Sequence, residues 1–315
     1  MCTKMTHLES RSITCFEERK RLIENLQNKA DKSCCGEKAE TEIKNSSKVI
    51  SLEKKGMLKD AMCRLGKIAV HEGDYKSMSD VAPTGPWLHE NGDVTSGQYF
   101  DDKRHGVACN VGSSGDIYYG EFSNDEMSGQ GCLLTNRGQH YQGGWLDSLR
   151  HGQGVETDAY RGVYTGNFLR DKPHGHGEEK FPDGSGYKGN FENGLRHGTG
   201  LSLFNDGSYY QGSFIKGEIQ GHGEYNWEDG RKYLGEWVDN NMEGYGVHNW
   251  SDGTKYIGNY YGGEPNGYGE YIWNSGEFYK GQWKNGLRHG QGTFIDHESG
   301  ETVEGVWAKG KKIIP

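Results

Sequence analysis

From Thr95 onward the chain repeats a 23-residue unit nine times without slipping a residue. A fixed period of this length admits few folds. Each unit is one small supersecondary element that buries its apolar face against the copies on either side. The leading column reads Thr95, Tyr118, Tyr141, Tyr164, Tyr187, Tyr210, Tyr233, Tyr256 and Tyr279. Two residues later every copy has glycine, from Gly97 to Gly281, and two further on an aromatic ring, from Tyr99 to Trp283. A partial tenth copy (Val303, Gly305, Trp307) arrives one residue late.

Within the unit from Tyr187, residues Tyr187, Gly189 and Phe191 alternate with Lys188 and Asn190, the period of a strand. Asn193-Gly194 is a hairpin dipeptide, Gly198, Gly200, Ser202 and Phe204 alternate along a second strand, and Asp206-Gly207 turns the chain again. The expected fold is therefore all-β: an elongated antiparallel β-meander of hairpin units, on the order of 90 Å long at about 4.8 Å per strand. Glycine weakens a strand, so a column of it needs a packing reason. Bare backbone lets rings lean across it and stack edge-to-face from unit to unit. A further column, Phe181, Phe204, Trp227, Trp250 and Trp273, follows the second strand. Rings thus replace an aliphatic core in a chain whose mean hydropathy is −0.92.

Composition divides the 315 residues at about position 92. Residues 1–92 hold 16 Lys and Arg against 14 Asp and Glu, whereas residues 93–315 hold 20 against 31. An acidic array argues against nucleic acid as a partner, since phosphate neutralisation needs a basic stripe. Five of the seven cysteines (Cys2, Cys15, Cys34, Cys35, Cys63) precede the repeats, and no apolar leader precedes them. That pattern reads as reduced thiols in a cytoplasmic protein. Residues 1–92 read as largely disordered, with short helices near 16–29 and 57–70; the second carries Met57, Leu58, Ala61, Met62 and Leu65 at helical spacing. Its expected roles are a flexible leader, or a helix that docks on a partner or folds back on the array.

The pattern Tyr187-x-Gly189-x-Phe191, then Gly198-x-Gly200, then Asp206-Gly207 resembles the MORN repeat, and the resemblance runs from residue 95 to 307. It implies a non-enzymatic scaffold, similar to ciliary radial-spoke head proteins and cytoskeletal MORN-repeat proteins. Cytoskeletal or axonemal partners, in the cytoskeleton or in a cilium or flagellum, follow from the same resemblance. In the enzymes that carry such repeats, catalysis belongs to a separate domain. No phosphate loop, nucleophile elbow or paired-cysteine metal motif stands in this sequence, and neither catalysis nor a cofactor is expected.

Two sets of residues are candidates for binding. Trp227, Trp237, Trp250, Trp273 and Trp283 would line any groove left open for a peptide or helix of a partner. Arg104, Arg150, Arg196 and Arg288 would hold the head groups of acidic phospholipids if they line an exposed edge; otherwise they pair with the abundant acids. Membrane-proximal phospholipid binding is the alternative function, and a regulatory module of a partner enzyme a lesser one. Open sheet ends favour a homodimer. His105, His151, His174, His197 and His289 recur before a glycine, but Gln220, Glu243 and Asn266 break the column, so a polar loop residue is the better reading than a metal ladder.

Overall fold

The computed structural model describes residues 83–158 and 160–314. The helices expected near 16–29 and 57–70 lie outside them. Twenty-one strands, from β1 (Pro83–Leu88) to β21 (Lys311–Ile314), form one sheet in which each strand pairs antiparallel with the next in sequence. No described residue is helical. The meander of hairpin units expected from the period is the observed topology.

In the unit built from β10 (Gly186–Glu192) and β11 (Leu195–Leu203), the hairpin turn is Asn193-Gly194, with φ of +53° and +87°. Two positive φ values define the I′ turn, whose twist matches that of the flanking strands. Every later and earlier unit turns in the same way, including Arg170-Asp171 and Asp239-Asn240. The next strand, β12 (Tyr209–Ile215), is reached through a tight loop in which Gly184, Gly207, Gly230 and their counterparts take positive φ. The partial tenth copy is late because its loop is longer: Asp296 N–H reaches the carbonyl of Glu301, where Trp273 N–H reaches that of Glu277.

Each hairpin also carries a bulge. Gly189 pairs with Gly200, yet its neighbour Asn190 pairs with His197, so Gly198 and Thr199 are extra on β11. Gly198 has φ +64°, and its counterparts from Gly106 to Gly290 are also positive. On the other side of β11, toward β12, the ladder is regular. The bulge therefore bends one strand without breaking the sheet. Between units, the N–H of the second turn residue donates to the preceding unit, as Gly194 does to the Pro173 carbonyl (2.9 Å) and Gly217 to that of Arg196 (2.9 Å).

The core is a single file of rings on one face of the sheet, here termed the aromatic face. Tyr187 is 2% exposed and lies across Gly189 and Gly200, so close that a Cβ on Gly189 would sit 2.5 Å from its Oη. Its hydroxyl donates to the Asn190 carbonyl (3.0 Å). All eight tyrosines of the column make the equivalent bond, at 2.9–3.3 Å. Tyr187 meets Phe191 of its own unit at 88° and Phe214 of the next at 85°, both 5.1 Å between centroids. The same edge-to-face step repeats without a gap from Phe122 to Trp307. Each such step adds about 0.5–1.5 kcal/mol beyond burial. The first copy departs: Thr95 occupies the tyrosine position, and its hydroxyl is hydrogen-bonded to the Tyr99 hydroxyl and to the His89 ring nitrogen Nε2.

Burial raises the phenol pKa of this column, to about 12 at Tyr187 and Tyr210. An unfolded phenol ionises near 10, so between pH 10 and the folded pKa the unfolded chain holds fewer protons than the folded one. The tyrosine contribution to stability is complete below pH 10 and is lost as pH rises through the folded values. Alkaline titration followed at 295 nm should show a late, steep phase of tyrosinate formation from the buried column, coincident with loss of β circular dichroism. Absence of that late phase, with every tyrosine ionised while the sheet is still intact, would contradict this.

Candidate protein-binding face

Beside the ring file, the register of β11 and its counterparts puts one further residue on the aromatic face opposite each tyrosine. Along the array this position reads Asn110, Leu133, Glu156, Glu179, Ser202, Tyr225, His248, Tyr271 and Phe294. It is polar in the middle copies and aromatic toward the C-terminus, so the face changes character along its length.

In the polar stretch the arginines lie on this face and not at an edge. The bulge puts Arg196 opposite Phe191 in the ladder, and its guanidinium lies 4.8 Å over the ring of Tyr187. It pairs with Glu179 at 3.4 Å. Burial raises the pKa of Glu179, and the Arg196 charge offsets part of that rise. Arg150 pairs with Glu156 at 2.5 Å and Asp171 at 3.1 Å, and covers Phe168. Arg104 pairs with Asp125 at 3.0 Å over Phe122. Arg288 donates to the Gly310 carbonyl (3.0 Å) and lies over Tyr279. Three of the four thus already have carboxylate partners, and all four stack on core rings as cation–π lids.

The aromatic stretch is built from two rows. Trp237 and Trp283 belong to the ring file itself: they are buried, and their indole N–H groups donate to the carbonyls of Gly223 (3.2 Å) and Gly269 (3.1 Å). Trp227, Trp250 and Trp273 stand at the ends of their strands and are only partly buried, packed against the core. Tyr225 and Tyr271, each next but one before a tryptophan, fill the gaps between them (Tyr225–Trp227 4.6 Å, Trp250–Tyr271 5.6 Å, Tyr271–Trp273 4.5 Å). His248 is sandwiched between Trp227 and Trp250, at 5.2 and 4.1 Å and within 6° of parallel. Burial, then the nearby Arg231 charge, depresses its pKa to about 4, so the imidazole is neutral at pH 7. From Phe204 to Phe294 the result is a strip of partly open rings beside the buried file.

The histidine column sits on the reverse face, on alternate strands, and among the described residues no group of three or more His, Cys, Asp or Glu could hold a metal ion. That reverse face also carries Tyr245, Tyr261 and Tyr268, each more than half exposed.

The sequence profile of the MORN repeat matches nine segments between residues 96 and 297 (96–116, 118–139, 141–159, 164–186, 187–209, 210–230, 233–255, 256–278 and 279–297), more than half of the chain. The chain belongs to the MORN-repeat family. MORN repeats are interaction modules of scaffold proteins, with protein or membrane partners. No curated protein matches this MORN chain. Among solved structures it is similar to the TCP domain of SAS-4 (dCPAP) from Drosophila melanogaster, there in complex with a proline-rich motif of Ana2: 15% identity, 49% of this chain and 85% of that one, TM-score 0.31. It is also similar to the TCP10 domain of CPAP from Danio rerio: 13% identity, 72% of this chain and 100% of that one, TM-score 0.34. A Staphylococcus aureus virginiamycin B lyase gives 15% identity, 73% and 72% coverage and a TM-score of 0.14. Scores this low say nothing about shared partners.

Proposed function

We propose that this MORN array is a non-enzymatic scaffold that receives an extended or helical segment of a cytoskeletal or ciliary protein along the aromatic strip from Phe204 to Phe294. The observation that carries the reading is the second row of rings. Trp227, Trp250 and Trp273 stand outside the edge-to-face file that Trp237 and Trp283 complete, and, packed against it, they extend it sideways with partly open aromatic surface. Such surface, rigid and low in side-chain entropy, is where partner segments gain most of their binding energy. The cytoskeletal setting rests on the kinds of protein that MORN arrays resemble.

The test compares the full chain with its Trp250→Ala, Trp273→Ala variant. Axonemal or cytoskeletal proteins captured from a ciliated-cell lysate should be retained by the first and lost from the second, whose ring file still melts cooperatively. Liposomes carrying phosphoinositides should remain unbound, because the candidate arginines are spent on carboxylates and rings. Salt-sensitive liposome binding, with no protein lost on removing the two indoles, would replace the scaffold by a phospholipid adaptor.

A further inference from the structure

Phe204, Trp227, Trp250 and Trp273 stand just past the ends of β11, β13 (Glu218–Asn226), β15 (Asn241–Asn249) and β17 (Glu264–Ile272), one ring per copy. The rings between them fix the step of this row. Centroids run 5.5 and 4.6 Å through Tyr225, 5.2 and 4.1 Å through His248, and 5.6 and 4.5 Å through Tyr271. Successive members are therefore no more than about 10 Å apart, in agreement with two strand spacings, about 9.6 Å. A polyproline II helix repeats at almost this distance, since three residues at about 3.1 Å make one turn. An α-helix brings a residue back to one face after seven, about 10.5 Å, and an extended strand after two, about 6.8 Å. From Phe204 to Trp273 there are three steps. A polyproline segment keeps register over them to about 1 Å, a helix drifts by about 3 Å, and a strand is out of step at the second ring.

We propose, building on the scaffold reading above, that the strip takes a proline-rich segment in the polyproline II conformation, with proline at every third residue and basic residues between. One proline per turn then meets one ring of the row per copy, and the segment enters already extended, with little entropy to lose. Its backbone has no internal hydrogen bonds, so its carbonyls need donors. The row has them: the indole N–H groups of Trp227, Trp250 and Trp273 have no partner among the described residues and are not closed off from solvent, whereas those of Trp237 and Trp283 are spent on carbonyls. Charge selects the remaining positions. The tight loops that begin at the four rings (204–208, 227–231, 250–254 and 273–277) carry Asp206, Glu228, Asp229, Asp252 and Glu277. Against these acids they hold a single base, Arg231, which Asp229 already engages at 2.7 Å. A segment lying along the row thus has a line of acids at its flank, complementary to lysine or arginine once per turn.

Calorimetric titration of the full chain decides it, with a synthetic peptide of three Pro-Ala-Lys repeats and a final proline as the probe. The same residues rearranged to put proline at every second position should bind at least about fivefold more weakly. Trp250→Ala should weaken the first peptide at least about tenfold. Glu228→Gln with Asp252→Asn, which leaves every ring in place, should weaken it about threefold and reduce its salt dependence. No binding at millimolar peptide, equal binding of the two orders, or binding indifferent to both variants would overturn the proposal. So would tighter binding of an amphipathic helical peptide of equal charge. In any of those cases, loss of captured cytoskeletal protein from the Trp250→Ala, Trp273→Ala variant would leave the scaffold reading standing with a different occupant.

Discussion

Replacing Gly189 by alanine is expected to unfold the middle of the array under conditions where the parent chain is fully folded. A Cβ there would lie 2.6 Å from Gly200 Cα, 2.6 Å from the Thr199 carbonyl oxygen and 2.5 Å from Tyr187 Oη. The first two are backbone of the paired strand and cannot turn aside as a side chain can. Only separating β10 from β11 makes room, and that lifts Tyr187 off its glycine bed and away from Phe191 and Phe214. Overpacking usually costs about 1–3 kcal/mol. Here the obstacle is backbone and Tyr187 is pulled from both of its ring partners, so the cost should exceed about 3 kcal/mol. Gly207 is the control. It has φ +88° and open space around its Cβ position, so alanine there costs only the left-handed strain, about 1–2 kcal/mol. Denaturant unfolding by circular dichroism measures both, and equal losses would sink the idea that glycine is kept at position 189 for ring packing.

Removing one rung should do comparable damage by another route. Tyr233 is 0% exposed, meets Trp237 and Tyr260 edge-to-face at 5.1 Å, and donates to the Glu236 carbonyl. Truncating a buried ring of this size costs about 3–5 kcal/mol. Because units touch chiefly their neighbours, the loss falls on one junction. Tyr233→Ala should therefore split unfolding into two transitions, with Trp145 fluorescence on one side of the break and Trp283 on the other. Tyr233→Phe keeps the ring and loses one hydrogen bond, about 1 kcal/mol, and should melt as a single unit. A single transition for Tyr233→Ala, shifted no further than that of Tyr233→Phe, would mean that the file does not couple the copies.

The parts of this fold legible from sequence are those in which one residue type has one job. Tyrosine, glycine and ring at fixed spacing specify the file, and Asn193-Gly194 and Asp206-Gly207 mark turns that the backbone confirms. The bulge was not legible. Gly198 reads as one more alternating glycine, and nothing distinguishes it from Gly200 until the register shows two residues of β11 standing outside the pairing. That omission hid the site of the arginines, since the bulge turns Arg196 toward Phe191 and onto the ring file. The second aromatic row was half legible. Trp227, Trp250 and Trp273 form a visible column, but Tyr225, His248 and Tyr271 share their position with Glu179 and Ser202 in other copies. A position that changes chemistry from copy to copy has no signature in a period. Its variation was the available signal: what differs between copies of one unit is where an array acquires individuality.

The bond from each hairpin turn to the copy before it has an evolutionary corollary. All nine steps, from Asp125 N–H on the Arg104 carbonyl to Gly310 N–H on that of Arg288, use main-chain groups. Any copy can therefore follow any other as far as this seam is concerned. Gain or loss of 23 codons by unequal recombination leaves donor and acceptor in register, whereas a change of any other size misaligns turn and seam. Copy number is then an inheritable variable that selection can adjust in whole steps, while the side chains at the variable positions of individual copies are free to diverge.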